Sequence, residues 1–224
     1  MKKTNLIILF LFILSPILGI GQLRQVIGQQ HPMWCYAASS EMVLKFINTS
    51  FVMDQCLIIN NIYGNKTCNC CKYIDCPKET NTNISNQTTI CDYNCNKALP
   101  EGKYKKWVEF LKKNGYKKGT ISEIKFDRIK KSIDAGFPVI GLFNISSDLV
   151  HSVVIFNYFV IENSNEVILY CHDPADQCKG CKLLIFYNKT TNRIIPKSNN
   201  TSYFLAHSLT DTEIKPIKII YSNQ

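Results

Sequence analysis

No stretch of the chain beyond its first residues approaches the ~20 consecutive apolar residues that a membrane span requires, so no stable membrane insertion is expected. An arginine-rich helix and a basic arm are also missing. The formal charge of +9 falls to +7 once Lys2 and Lys3 are set aside (9 − 2), and the other lysines are scattered among apolar positions. Dispersed lysine marks a solvated surface, and nucleic acid is therefore not the expected partner. There is no internal repeat. Histidine is scarce: His31, His151, His172 and His207 are all the chain has, so any chemistry that needs an imidazole must draw on these four.

What the first residues do contain is Lys2 and Lys3, an apolar run from Leu6 to Leu14, the helix breaker Pro16, and small residues at Gly19 and Gly21. That is the pattern of a secretory signal peptide over 1–21, and it predicts an exported mature chain. The remaining 22–224 suffice for one domain with a full core, or two closely packed lobes. Of the eleven cysteines, ten fall between Cys56 and Cys181, while Cys35 stands twenty-one residues before its nearest neighbour. In an exported chain most cysteines pair, and an odd count leaves one over. Cys35 is the thiol expected to stay free. If the other ten all pair, the seven between Cys56 and Cys95 and the three between Cys171 and Cys181 are both odd sets, and at least one disulfide must join them. Cys70 and Cys71 are poor partners for each other, and one of them is the favoured cross-link. Zinc is the competing reading for Cys178 and Cys181, which oxidising conditions disfavour.

From Cys35 to about Phe46, Ala38, Met42 and Phe46 share one helical face, with Glu41 and Lys45 expected as an exposed pair four residues apart. The stretch of about 49–100 is rich in Asn, Thr, Lys and cysteine with little periodicity, and reads as a disulfide-stapled insertion. Two amphipathic helices follow: Tyr104, Trp107, Val108 and Leu111 form one stripe ending at Gly115, and Phe126, Ile129 and Ile133 another ending at Gly136. After Phe137 the character turns β-branched and aromatic, predicting strands at 138–143, 151–161, 167–170, 183–187 and 217–221. The Asn163-Ser164-Asn165 cluster makes the second and third of these a hairpin. Helices first and antiparallel strands afterwards describe an α+β chain.

A thiol nucleophile works as its thiolate, and a helix N-terminus lowers the thiol pKa through its partial positive charge and unpaired N–H groups. Cys35 lies where a helix is predicted to start. Of the histidines, His151 opens the longest strand, and His172 lies beside Asp173 at the end of the next. The hairpin would bring His151 and Asp173 to one sheet edge, where a carboxylate can hold the imidazole tautomer. His31 is expected on a loop surface, only four residues from Cys35. Acyl transfer also needs donors for a developing oxyanion. The Cys35 N–H is one, and Gln29 or Gln30, six and five residues upstream, can supply the other if the intervening loop doubles back.

The segment QQHPMWCYAASSEMV resembles the glutamine-to-cysteine segment of papain-like cysteine proteases, and GFPVIGLF, VHSVVIFNYFV and VILYCHDPA are similar to that family's strand, histidine strand and Asp-Pro-ended strand, in the same order. More narrowly the chain is similar to the bacterial branch containing bacteriocin-leader peptidases and avirulence-type effectors. The resemblance covers roughly 29–46 and 121–173. It implies a two-lobed fold, with a helical lobe carrying the cysteine at a helix N-terminus and an antiparallel β lobe. It further implies Gln29 as oxyanion-hole amide, Cys35 as nucleophile, His151 as base and Asp173 as orienting acid, acting as a monomer on a polypeptide with no cofactor. Tyr36, and Val150 where the family more usually has glycine, depart from the pattern. Two other classes stay open: a catalytically silent binding protein that keeps the fold, and a disulfide-stapled toxin whose cysteine-rich segment does the work.

Overall fold

The computed structural model describes residues 26–64, 99–116, 119–144, 150–175, 180–195 and 215–222. The expected signal peptide and most of the cysteine-rich segment lie outside them. The described chain runs α1 (Cys35–Ile47), α2 (Gln55–Tyr63), a 3-10 turn (Glu101–Lys103), α3 (Tyr104–Lys113), β1 (Gly119–Ser122), α4 (Phe126–Asp134), β2 (Val139–Asn144), β3 (Val150–Val160), β4 (Glu166–Asp173), β5 (Cys181–Asn188), β6 (Arg193–Ile194) and β7 (Lys215–Ser222). The strands form one antiparallel sheet in the order β1-β7-β2-β3-β4-β5-β6. The chain is α+β, as its sequence predicts.

Period-two alternation of side chains divides the core between the two sheet faces. Ile140, Leu142, Val154 and Ile220 pack with α1, α2 and α3. Their neighbours Val139, Phe143, Val153, Ile155, Ile219 and Tyr221 pack with α4 on the other face. Helix α1 is sandwiched between the sheet and α2, and every residue from Cys35 to Leu44 is buried. Ala37 and Ala38, with little side chain to place, allow that close approach. Ser40 ties this helix to α3: Trp107 Nε1–H donates to Ser40 Oγ at 2.6 Å, and Ser40 Oγ–H donates to the Tyr36 carbonyl at 2.7 Å.

Helices α3 and α4 stop where their glycines require. Gly115 (φ +117) and Gly136 (φ +82) follow the last turns in the left-handed region that side chains disfavour. The β3–β4 hairpin turns through Asn163, itself at φ 56, and places Val160 opposite Val167. A register shift between Ile155 and Asn157 lies within that hairpin.

The structure departs from the sequence reading after α1. Residues 55–63, read as part of an aperiodic insertion, form a helix whose Cys56, Ile58, Ile59 and Ile62 lie in the main core. Asp54 caps its start, accepting the Leu57 N–H at 3.2 Å, and Gly64 ends it at φ 68. Glu41, expected on the surface, is buried beneath this helix and bonded to Lys45 at 2.6 Å. If α2 belongs to the core, Ile59→Ala should cost about 2–5 kcal/mol, whereas Leu57→Ala, at a 44% exposed position, should stay within about 0.5 kcal/mol. Urea unfolding of the two variants checks this, and equal midpoints would contradict it.

Candidate active site

Cys35 is the first residue of α1, and no side-chain hydrogen bond caps that helix start. The N–H groups of the first turn therefore put their partial positive charge beside the thiol. The Sγ lies 3.9 Å from the Val150 carbonyl oxygen, at the start of the strand that carries His151. Val150 packs against the α1 side of the core, which accommodates its side chain beside the histidine.

His151 and Asp173 come from β3 and β4, and the hairpin brings them onto one face. The His151 Nε2–H donates to Asp173 Oδ1 at 2.7 Å, with the imidazole 3% exposed and the carboxylate fully buried. Asp173 Oδ1 also accepts the Ala175 N–H at 2.8 Å, so the Asp-Pro turn itself fixes the carboxylate. With Nε2 committed to Asp173, Nδ1 is the ring nitrogen left to serve the thiol. Burial pushes the Cys35 thiol up, but its hydrogen bond and attraction to His151, with the hydroxyl and backbone amide of Ser152, outweigh this and hold it below the usual thiol range. Burial pushes the His151 imidazole down, and Asp173 and Cys35 more than reverse that, raising it to about 10. The two displacements are opposite in sign, the direction that favours a thiolate–imidazolium pair.

Gln29 is buried in the loop before α1. Its Nε2 donates to the Pro32 carbonyl at 2.7 Å, and its backbone N–H donates to the Pro174 carbonyl at 2.9 Å, one residue beyond Asp173. The loop folds back as the sequence requires: the Trp34 N–H donates to the His31 carbonyl at 3.0 Å, and the His31 ring stacks on Trp34 with centroids 5.3 Å apart. His31 is thus buried rather than on the surface. Gln30, the alternative amide, is held by its backbone, its N–H donating to Gln55 Oε1 at 2.8 Å.

The other histidine near the site is kept neutral. Burial and the Lys182 ammonium lower His172 to about 4, and its ring lies against Phe156 at 4.5 Å. His207 lies outside the described residues. Cys171 corrects the expected disulfide framework: it is a free, buried thiol on the inner face of β4. The requirement that ten cysteines pair therefore fails, because a strand in the middle of the core uses this one as an apolar side chain. Cys68 to Cys95, including the favoured Cys70 and Cys71, and Cys178 lie outside the described residues.

Two serines near the site went unread in the sequence. Ser39, one helical turn after Cys35, donates to the Ser152 carbonyl at 3.3 Å and shares a hydrogen bond with the Ser152 hydroxyl at 3.1 Å. Both are buried, and together they pin α1 to the histidine strand. Their signal was positional: one serine follows the cysteine by four residues and the other follows the histidine directly.

A thiol at a helix start, an imidazole beside it and a buried carboxylate behind the imidazole make up the chemistry of cysteine peptidases. The sequence profile of the Peptidase_C39 like family matches residues 21–193, and the chain belongs to that family. No curated protein matches it significantly. Among the described residues, no helix is long and apolar enough to cross a membrane, and no cluster of His, Cys, Asp or Glu could hold a metal ion.

The opposite displacements of Cys35 and His151 fix a pH window. Below the lowered Cys35 value the thiolate is protonated, and above about 10 the imidazolium is lost. Iodoacetamide should alkylate Cys35 with a rate that reaches its plateau at lower pH than an ordinary thiol, and should spare Cys171 until the protein unfolds. In His151→Ala the reaction should shift to the alkaline range of an ordinary thiol. A native rate that rises only in that range would show that no ion pair forms.

Proposed function

We propose that the chain is an exported, monomeric cysteine peptidase of the papain-like, two-lobed kind that hydrolyses peptide bonds without a cofactor. The helices around α1 would form one lobe and the sheet the other, within a domain of 22–224 that carries a cysteine-rich insertion. The Cys35 thiolate attacks the scissile carbonyl carbon, a C–S bond forms, and the carbonyl oxygen becomes an oxyanion. The Cys35 N–H and the second amide hydrogen of Gln29 Nε2 stabilise that charge. The His151 imidazolium then protonates the leaving nitrogen as the C–N bond breaks. Water attacks the resulting thioester, His151 takes its proton, and the thiolate departs with release of the carboxylic acid product. Asp173 holds the imidazole throughout and does not exchange the proton.

The observation that carries this reading is the 2.7 Å bond from His151 Nε2 to Asp173, which leaves the other ring nitrogen to a thiol already biased toward its anion. The family supports a polypeptide as substrate. The narrower likeness to bacteriocin-leader peptidases and avirulence-type effectors suits a chain with a signal peptide that acts after export.

Hydrolysis of a quenched-fluorescence peptide library by the purified mature chain tests the proposal. Cys35→Ala and His151→Ala should each abolish turnover with little change in Tm. Asp173→Asn should retain partial activity. Gln29→Ala should lower kcat roughly 10²-fold or more, with Gln30→Ala doing much less. Wild-type turnover in Cys35→Ala would reassign any function to the cysteine-rich segment. Absence of turnover together with ordinary thiol reactivity at Cys35 would leave a binding protein on a peptidase scaffold.

A further inference from the structure

Gln55 is the first residue of α2 and is fully buried, yet both hydrogens and the oxygen of its amide find partners. Its Nε2 donates to the Gly28 carbonyl at 2.9 Å and to Glu41 Oε2 at 3.2 Å, and its Oε1 accepts the Gln30 N–H at 2.8 Å. Gly28 and Gln30 are the two residues flanking Gln29. One side-chain amide thus pairs with the backbone on both sides of Gln29, as a neighbouring strand would. The far side of the amide is held by Glu41, whose other oxygen takes the Lys45 ammonium at 2.6 Å. Glu41 belongs to α1, the helix that begins at Cys35.

The opposite flank of the segment is equally confined. Gln29 N–H reaches the Pro174 carbonyl, and Gly180, at φ +62, packs so closely that an added Cβ would meet Val26 Cγ1 at 2.6 Å, the Asp173 carbonyl at 3.0 Å and the Gly28 nitrogen at 3.2 Å. The backbone of 28–30 is therefore wedged between the Asp173 turn and the Gln55 amide, and Gln55 links it through Glu41 to the nucleophile's helix. We propose that Gln55 is a positioning residue, which through Glu41 sets the placement of the Gln29 amide relative to Cys35 and so the geometry of the oxyanion hole. The inference rests on the oxyanion role given to Gln29 above. A shift of about 1 Å in such a donor is enough to slow acyl transfer strongly.

Two reactions of Cys35 separate positioning from mere support of the fold. Peptide hydrolysis passes through an oxyanion, whereas alkylation by iodoacetamide does not. Gln55→Met keeps the volume and removes the amide. It should lower kcat on the peptide library roughly tenfold to a hundredfold, with KM nearly unchanged and the alkylation rate equal to wild type. Gln55→Asn, which keeps an amide but draws it back by one methylene from Gly28, Gln30 and Glu41, carries the same comparison if the methionine variant does not fold. Adding Gln55→Met to Gln29→Ala should cost nothing further, because both act on one donor. A wild-type kcat in Gln55→Met, alkylation falling in step with kcat, or losses that multiply in the double variant would each overturn the positioning role. Full activity in Gln29→Ala would instead remove the oxyanion assignment on which it stands.

Discussion

Lowering the Cys35 thiol and raising the His151 imidazole while both are out of water is the constraint on which the rest of the candidate site depends. Burial alone penalises both charges, and a lone thiolate or imidazolium in this core would simply neutralise. That penalty is outweighed because supports converge from separate elements: the start of α1, the Asp173 carboxylate on β4, and Ser152 next to the histidine on β3. Each support fixes a relationship between elements. The thiol and Ser152 require α1 to lie across β3, and the carboxylate requires β3 and β4 to pair in one register. The Ser39–Ser152 hydrogen bonds and the all-round burial of α1 follow from meeting those demands together.

Elements with strong local signals were legible in the sequence. The helix from Cys35, the stripes of α3 and α4 with their glycine stops, and the β3–β4 hairpin through Asn163 all lie where periodicity and turn chemistry put them. The hairpin by itself brings His151 and Asp173 to one sheet edge. What could not be read were features set by contacts distant in sequence. Strands β1 and β6, four and two residues long, exist because β7 and β5 pair with them. Glu41 looked exposed because its only sequence neighbour of opposite charge is Lys45, and nothing local announces that α2 covers it.

Helix α2 itself is an instructive miss. Its Ile58, Ile59 and Ile62 have helical spacing, Asp54 is a good cap and Gly64 a good stop, but the cysteine- and asparagine-rich composition downstream led the whole stretch to be read as loop. The omission also hid Gln55, a polar residue whose importance depends on burial and partners that no single-sequence pattern reveals. Cys171 shows the converse error. Parity treated it as half of a disulfide, while its position on the inner face of a central strand makes it a small apolar side chain.

The strand order carries a consequence for when the site can exist. β7, at residues 215–222, is inserted between β1 and β2, and β2 is the partner of the strand bearing His151. Until residues 215–222 have paired, the edge of β2 stands open and the sheet under α1 is incomplete. Such non-local pairing is slow to form. Assembly of the floor beneath Cys35 therefore waits on a segment 180 residues further along the chain (215 − 35), and the three residues of the candidate site come to rest only after that distant contact is made.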